Sequence, residues 1–171
     1  MRSPFDRSDI NIRSIIAAAA FSALSAVTAQ IKLPSTIGSV ALDSAPAFFA
    51  AGFISPIVGG FVGFAGHLAS AATAGFPSGP LHLVIASGMF IVCLSYGAIV
   101  RAIDRIWGVW VGTVICVILN CLIPFACIPL GLPKGVAISL VFPFLIIAAF
   151  ANAGIASVLL IIFSKLRTPG A

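Results

Sequence analysis

The chain has 171 residues, of which 61% are apolar and only 8% are Asp, Glu, Lys or Arg, against about a quarter charged in soluble domains. With a mean hydropathy of +1.23, this composition excludes a soluble globular domain, a disordered chain, a coiled coil and a disulfide scaffold, and leaves an integral membrane protein. The formal net charge of +5 does not point to nucleic acid, because the basic residues stand at the edges of apolar runs, where they orient membrane helices.

Uncharged runs predict an all-α membrane fold with six transmembrane helices, near residues 14–30, 45–55, 57–74, 81–100, 107–128 and 136–164, forming a single transmembrane domain over residues 1–171. Arg2, Arg7 and Arg13 place the N-terminus inside. An alternative takes these arginines, the following apolar run and the small residues Ser22 to Ala26 as a signal peptide, which would leave five spans. In the first helix Ser14, Ala18, Ser22 and Ala26 recur every four residues, with Ala19 and Ala23 in a parallel row. Small residues at this spacing let helix backbones approach closely in lipid, either inside the bundle or against an outside partner.

Pro56, preceded by Ser55 and followed by Gly59 and Gly60, favours a break over one continuous helix. The two short segments around it make two crossings, or a re-entrant pair with none. Either choice places Arg101 and Arg105 inside again, as the charge rule asks. Gly59 and Gly63 form a small-residue row ending in His67, read as a contact within the bundle. Six crossings bring Lys165 and Arg167 inside as well (N-in/C-in), so that among the basic residues only Lys32 and Lys134 face out. Cys93, Cys116, Cys121 and Cys127 lack metal-ligand or redox spacing and read as buried thiols.

Polar groups in hydrocarbon need a partner or a wet cavity. His67, His82, Asn120 and Asn152 are the exceptions within the spans, with Asp43 in the first outer loop. At 1.5 Å rise per residue, His67 lies about 12 Å below Gly75 and Asn120 about 13 Å below Pro129. His82 stands near the outer mouth of its helix and Asn152 near mid-membrane. The four therefore converge in the outer half of the membrane. Such a cavity suits a small polar molecule, with Phe48, Phe49 and Phe76 as flat apolar walls. Each residue also has a structural alternative: the Asn and His side chains can bond backbone carbonyls, and Asp43 or Ser44 can cap the second helix ahead of Pro46.

Chemical motifs are absent. There is no phosphate-binding G-x-x-x-x-G-K-[ST], no H-E-x-x-H, no G-x-S-x-G and no carboxylate pair. No enzyme activity, cofactor or metal is expected, and binding without a built-in energy source is what remains.

The stretches Ile37-Gly38-Ser39-Val40-Ala41-Leu42-Asp43-Ser44-Ala45-Pro46, Ser55-Pro56-Ile57-Val58-Gly59-Gly60, Gly66-His67-Leu68 and Gly75-Phe76-Pro77 through Leu81-His82-Leu83 carry a resemblance over essentially the whole chain. The sequence resembles the substrate-binding S components of energy-coupling factor (ECF) transporters, vitamin importers of the bacterial cell membrane. The resemblance implies a substrate-capping first loop, a transmembrane T subunit meeting Ala19 and Ala23, and two separate ATPase subunits. Within that family the Val-Ala-Leu-Asp-Ser loop and the two His positions look most like α-ribazole transporters of cobalamin salvage. The metal-carrying branch begins Met-His, and here position 2 is Arg2. The expected action is capture from outside under residues 32–43, then toppling of the protein against its T partner. Asp43 is expected on ribose hydroxyls, His67, His82, Asn120 and Asn152 on polar edges, and the phenylalanines against the ring. The alternatives are an S component for another vitamin, a small intramembrane enzyme using His67 with Asp43, and a purely structural subunit.

Overall fold

A computed structural model describes residues 12–35, 38–103, 105–140 and 144–166. Arg2, Arg7 and Arg167, on which part of the orientation argument rests, lie outside the described residues, as does Ile37 of the first loop. Seven helices follow one another among the described residues: α1 (Ile12–Thr28), α2 (Ala45–Phe53), α3 (Pro56–Thr73), α4 (Leu81–Ala102), α5 (Arg105–Ala126), α6 (Lys134–Leu140) and α7 (Ile146–Leu166).

The break at Pro56 is present, and its local chemistry is visible. Ser55 is extended, its hydroxyl accepts a hydrogen bond from the Val58 N–H at 3.2 Å, and Pro56 opens the helix. A hydroxyl cap followed by proline satisfies the first orphan donors and removes another.

Two features depart from the expected helices. The first loop contains a two-stranded antiparallel hairpin, β1 (Lys32–Ser35) paired with β2 (Gly38–Ala41) in the register Lys32 to Ala41. In addition, α2 has 9 residues, or about 14 Å of rise, less than half of a hydrocarbon core about 30 Å thick. Residues 141–143, between α6 and α7 in the last expected helix, lie outside the described residues. Four segments are long and apolar enough to cross a bilayer: Pro56–Thr73, Leu81–Ala102, Ile106–Leu130 and Ile146–Phe163. Ile12–Thr28 is a shorter apolar helix.

Close contacts fix the directions of the helices. At one end the Arg101 guanidinium donates to the Ile54 carbonyl at 2.6 Å, Gly97 faces Pro56, Gly52 faces Leu160, and Phe53 meets Phe163. Asp43, His67, His82 and Asn152 gather away from that end. Thus α2, α4 and α7 run toward the Arg101 end, and α3 runs away from it. The glycines of α3 are where backbones touch: a Cβ on Gly59 would collide with Ala51 of α2, one on Gly63 with Cys93 of α4, and one on Gly66 with Ser25 of α1. The row read as bundle contact is bundle contact.

The two small-residue rows of α1 are separated by their surroundings. Ala18, Ser22 and Ala26 are half-buried and Ser25 is fully buried, whereas Ala19 and Ala23 are exposed. The core that α2 enters contains Phe48, Val62, Met89 and Tyr96. Beneath the polar residues, Thr113 donates to the Val109 carbonyl, so its oxygen accepts from Ser157, which accepts in turn from Tyr96, with both hydroxyl contacts at 2.8 Å. This chain of hydroxyls joins α4, α5 and α7 with every proton placed. Nothing in the spacing of three such common residues announces it.

Candidate functional site

One cavity of about 510 Å³ collects residues that are far apart in the sequence. This is within the roughly 300–1,000 Å³ of small-molecule sites. Asp43, His67, His82, Asn120 and Asn152 all line it. Its surface is two-sided. The junction after β2, the C-terminal half of α3 and the loop before α4 supply Asp43, Ser44, His67, Ser70 and Ser78; α4, α5 and α7 supply the aliphatic surface of Ile85, Met89, Ile123, Ala148 and Ala149, with His82, Asn120 and Asn152 set in it.

Asn152 has all four hydrogen-bonding positions occupied by protein. Its side-chain oxygen accepts from the backbone N–H groups of Ser44 at 2.9 Å and Ala45 at 2.8 Å, and its NH2 donates to the carbonyls of Ala148 at 2.9 Å and Ala41 at 3.3 Å. An amide oxygen accepts two bonds and an amide nitrogen donates two, so Asn152 positions the floor of the cavity and has no polar valence left for a ligand. It also replaces the cap expected from Ser44 or Asp43. The Ser44 hydroxyl makes no cap bond to α2 and donates instead to the Asp43 carboxylate at 2.8 Å.

The two histidines form a directed chain. The Ser78 backbone N–H donates to His82 Nε2 at 3.3 Å. With that nitrogen an acceptor in the neutral ring, the proton sits on His82 Nδ1 and is donated to His67 Nε2 at 3.2 Å. His67 then carries its own proton on Nδ1, which faces Asp43 Oδ2 at 3.8 Å. One backbone N–H thereby sets both tautomers and orients the chain toward the carboxylate. Burial pushes the Asp43 carboxyl above the usual carboxylate range, while bonds from the Ser44 and Ser70 hydroxyls and its own backbone N–H pull it part of the way back.

The phenylalanines are not cavity walls. Phe48 is buried in the core, edge-on to Tyr96 with centroids 5.2 Å apart. Phe49 packs among Phe21, Phe53 and Phe163. Both lie more than a turn beyond Ser44 on a helix that runs away from the cavity. Phe76 is exposed in the loop before α4, at φ 49° beside Gly75, and sets its ring against His82 at 5.7 Å. The apolar surface comes instead from aliphatic residues of α4, α5 and α7, which stand out little in a chain this apolar.

No family model matches the chain, and no curated protein sequence does. Its fold is similar to that of a solved protein described as "Structure and mechanism of the S component of a bacterial ECF transporter", with a TM-score of 0.63 and 18% identity over 92% of this chain and 98% of that one. The protein is a helical membrane bundle whose fold is similar to that of this S component, built around a ligand-sized cavity lined by both polar and aliphatic side chains.

Proposed function

We propose that the chain is the substrate-capturing S component of an ECF-type importer for a water-soluble vitamin or vitamin precursor, with α-ribazole as substrate. The observation that carries this reading is the two-sided cavity within a bundle of the S-component fold. A benzimidazole riboside has the same division: its flat apolar ring matches the aliphatic side, and its ribose hydroxyls match the side bearing Asp43 and His67. The protein is read as one transmembrane substrate-binding domain in the bacterial cell membrane, crossing six times with α2 as the short second segment. Arg13, Arg101 and Arg105 mark the cytoplasmic end and Lys32 and Lys134 the outer end, so the cavity receives its ligand from outside. A T subunit and two ATPases supply the energy. The intramembrane-enzyme reading is weaker, because both ring nitrogens of His67 are engaged, one by His82 and the other directed at Asp43, which leaves no free base to activate a nucleophile.

Titration calorimetry of the purified protein against a vitamin panel tests the proposal. A single tight ligand, α-ribazole, is the expected result. Binding of none, together with product formed from a lipid or peptide, would establish the enzyme reading instead.

The assigned role of Asp43 has a pH signature. An ionised carboxylate accepts ligand hydroxyls, and the raised pKa means that the proton returns at a higher pH than for an ordinary Asp near 3.8. Affinity should therefore be full above the shifted pKa and fall on acidification through it. His67, and His82 behind it, are the titratable groups that face the carboxyl. Asp43→Asn should weaken ribose binding about 10- to 100-fold and flatten the Asp43-dependent part of the acid limb. Unchanged affinity would reduce Asp43 to a structural residue.

A further inference from the structure

Asn120 differs from every other polar residue singled out in the cavity. It is 7% exposed and lines the space, yet its carboxamide makes no hydrogen bond among the described residues, whereas Asn152, His67, His82, Ser44 and Asp43 all have protein partners. Its backbone carbonyl stands four residues before Pro124, which has no N–H to donate to it. Buried amides are normally paired, and an unpaired one is unfavourable. Around Asn120 the surface is aliphatic, with Ile85, Met89 and Ile123 among the lining residues. A polar island with both donor and acceptor capacity therefore sits in the side of the cavity that would take a ring. Charge adds a second constraint: among the described residues no Lys or Arg lines the cavity, and Asp43 does. An anionic ligand would bring its charge to a carboxylate with no cation to answer it.

We infer, building on the binder reading above, that the cavity selects a ligand without negative charge whose flat ring carries a hydrogen-bonding heteroatom on its edge, and that Asn120 is the specificity-determining residue that reads this atom. The carboxamide NH2 donates to a ring nitrogen lone pair; turned over, its oxygen accepts from a ring N–H. In a benzimidazole riboside the unsubstituted ring nitrogen is the acceptor, and Asn120 supplies the donor. A site built around a hydrogen bond discriminates against an analogue that lacks the partner atom, because its own buried group is then left unpaired. The phosphate ester of the same nucleoside fits the ring but brings a dianion to Asp43.

Calorimetry on the purified full-length protein with three probes tests this: the benzimidazole riboside, the corresponding indole riboside in which C–H replaces the ring nitrogen, and the 5′-phosphate of the benzimidazole riboside. The wild type should bind the first about tenfold more tightly than either of the others. Asn120→Leu should lower affinity for the benzimidazole riboside to the indole level, leave indole riboside binding unchanged or tighter, and melt without ligand at the wild-type temperature or above, since no partner among the described residues is lost. Equal wild-type affinity for the two ring systems, equal weakening of both by Asn120→Leu, a lowered melting temperature of that variant, or tight binding of the phosphate would each overturn the inference while leaving the binder reading in place. Failure of the wild type to bind any of the three overturns the benzimidazole assignment and the inference with it.

Discussion

Asn152→Leu is expected to lower the melting temperature of the ligand-free protein and to abolish ligand capture. The substitution keeps approximate volume but strands three backbone groups, the N–H groups of Ser44 and Ala45 at the start of α2 and the carbonyl of Ala41; the Ala148 carbonyl keeps its helical partner, the Asn152 N–H. The Ser44 and Ala45 bonds are buried. An unmet buried group costs about 1–3 kcal/mol, so a loss of roughly 3–5 kcal/mol is expected, at the upper end for point substitutions. Function should suffer beyond stability, because the same amide ties β2 and the start of α2, with Asp43 between them, to α7. Asn152→Asp retains the two acceptor bonds and loses both donor bonds, and should fall between wild type and Asn152→Leu. Thermal melting and calorimetry on the three proteins measure both effects. A wild-type melting temperature and affinity for Asn152→Leu would refute the positioning role.

The double substitution Ala19→Trp/Ala23→Trp is expected to abolish uptake and leave ligand binding at the wild-type level. Ala19 and Ala23 lie one turn apart on the exposed side of α1, while Ala18, Ser22 and Ser25 face the bundle. Two indoles on that side therefore meet no internal packing and leave the distant cavity undisturbed. Against a partner helix they would hold apart backbones that small residues allow to approach closely. Whole-cell uptake and binding by purified protein separate the two outcomes. Retained uptake would remove these alanines from the partner interface, and lost binding would show that α1 supports the site itself.

The polar exceptions could be read along the chain because hydrocarbon makes them conspicuous. Helical rise places His67, His82, Asn120 and Asn152 at compatible depths before any contact is known, and the cavity contains all four together with Asp43. The start of α3 was equally legible, since Ser55-Pro56 is a local cap signal that needs no tertiary contact. Depth along a helix, however, says nothing about which way a side chain faces or what it meets. Phe48 and Phe49 are adjacent to the site in sequence and are carried away from it by the direction of α2, and aliphatic residues from distant helices take the ring-facing role. The hairpin was missed because its strands are only four residues long and carry no alternating apolar pattern.

From sequence alone come the membrane class, the helix break at Pro56, the small-residue rows and the short roster of polar residues in the spans, because each depends on composition or local backbone chemistry. Only the tertiary structure distinguishes residues of the same type. It assigns Asn152 to the frame and leaves Asn120 without a partner among the described residues, and it turns the Ala18 row inward and the Ala19 row outward. It also sets the histidine tautomers from a single backbone N–H. The physical reason is the same in each case: a hydrogen bond or a close approach between helices requires both partners, and their meeting is decided by how the helices pack.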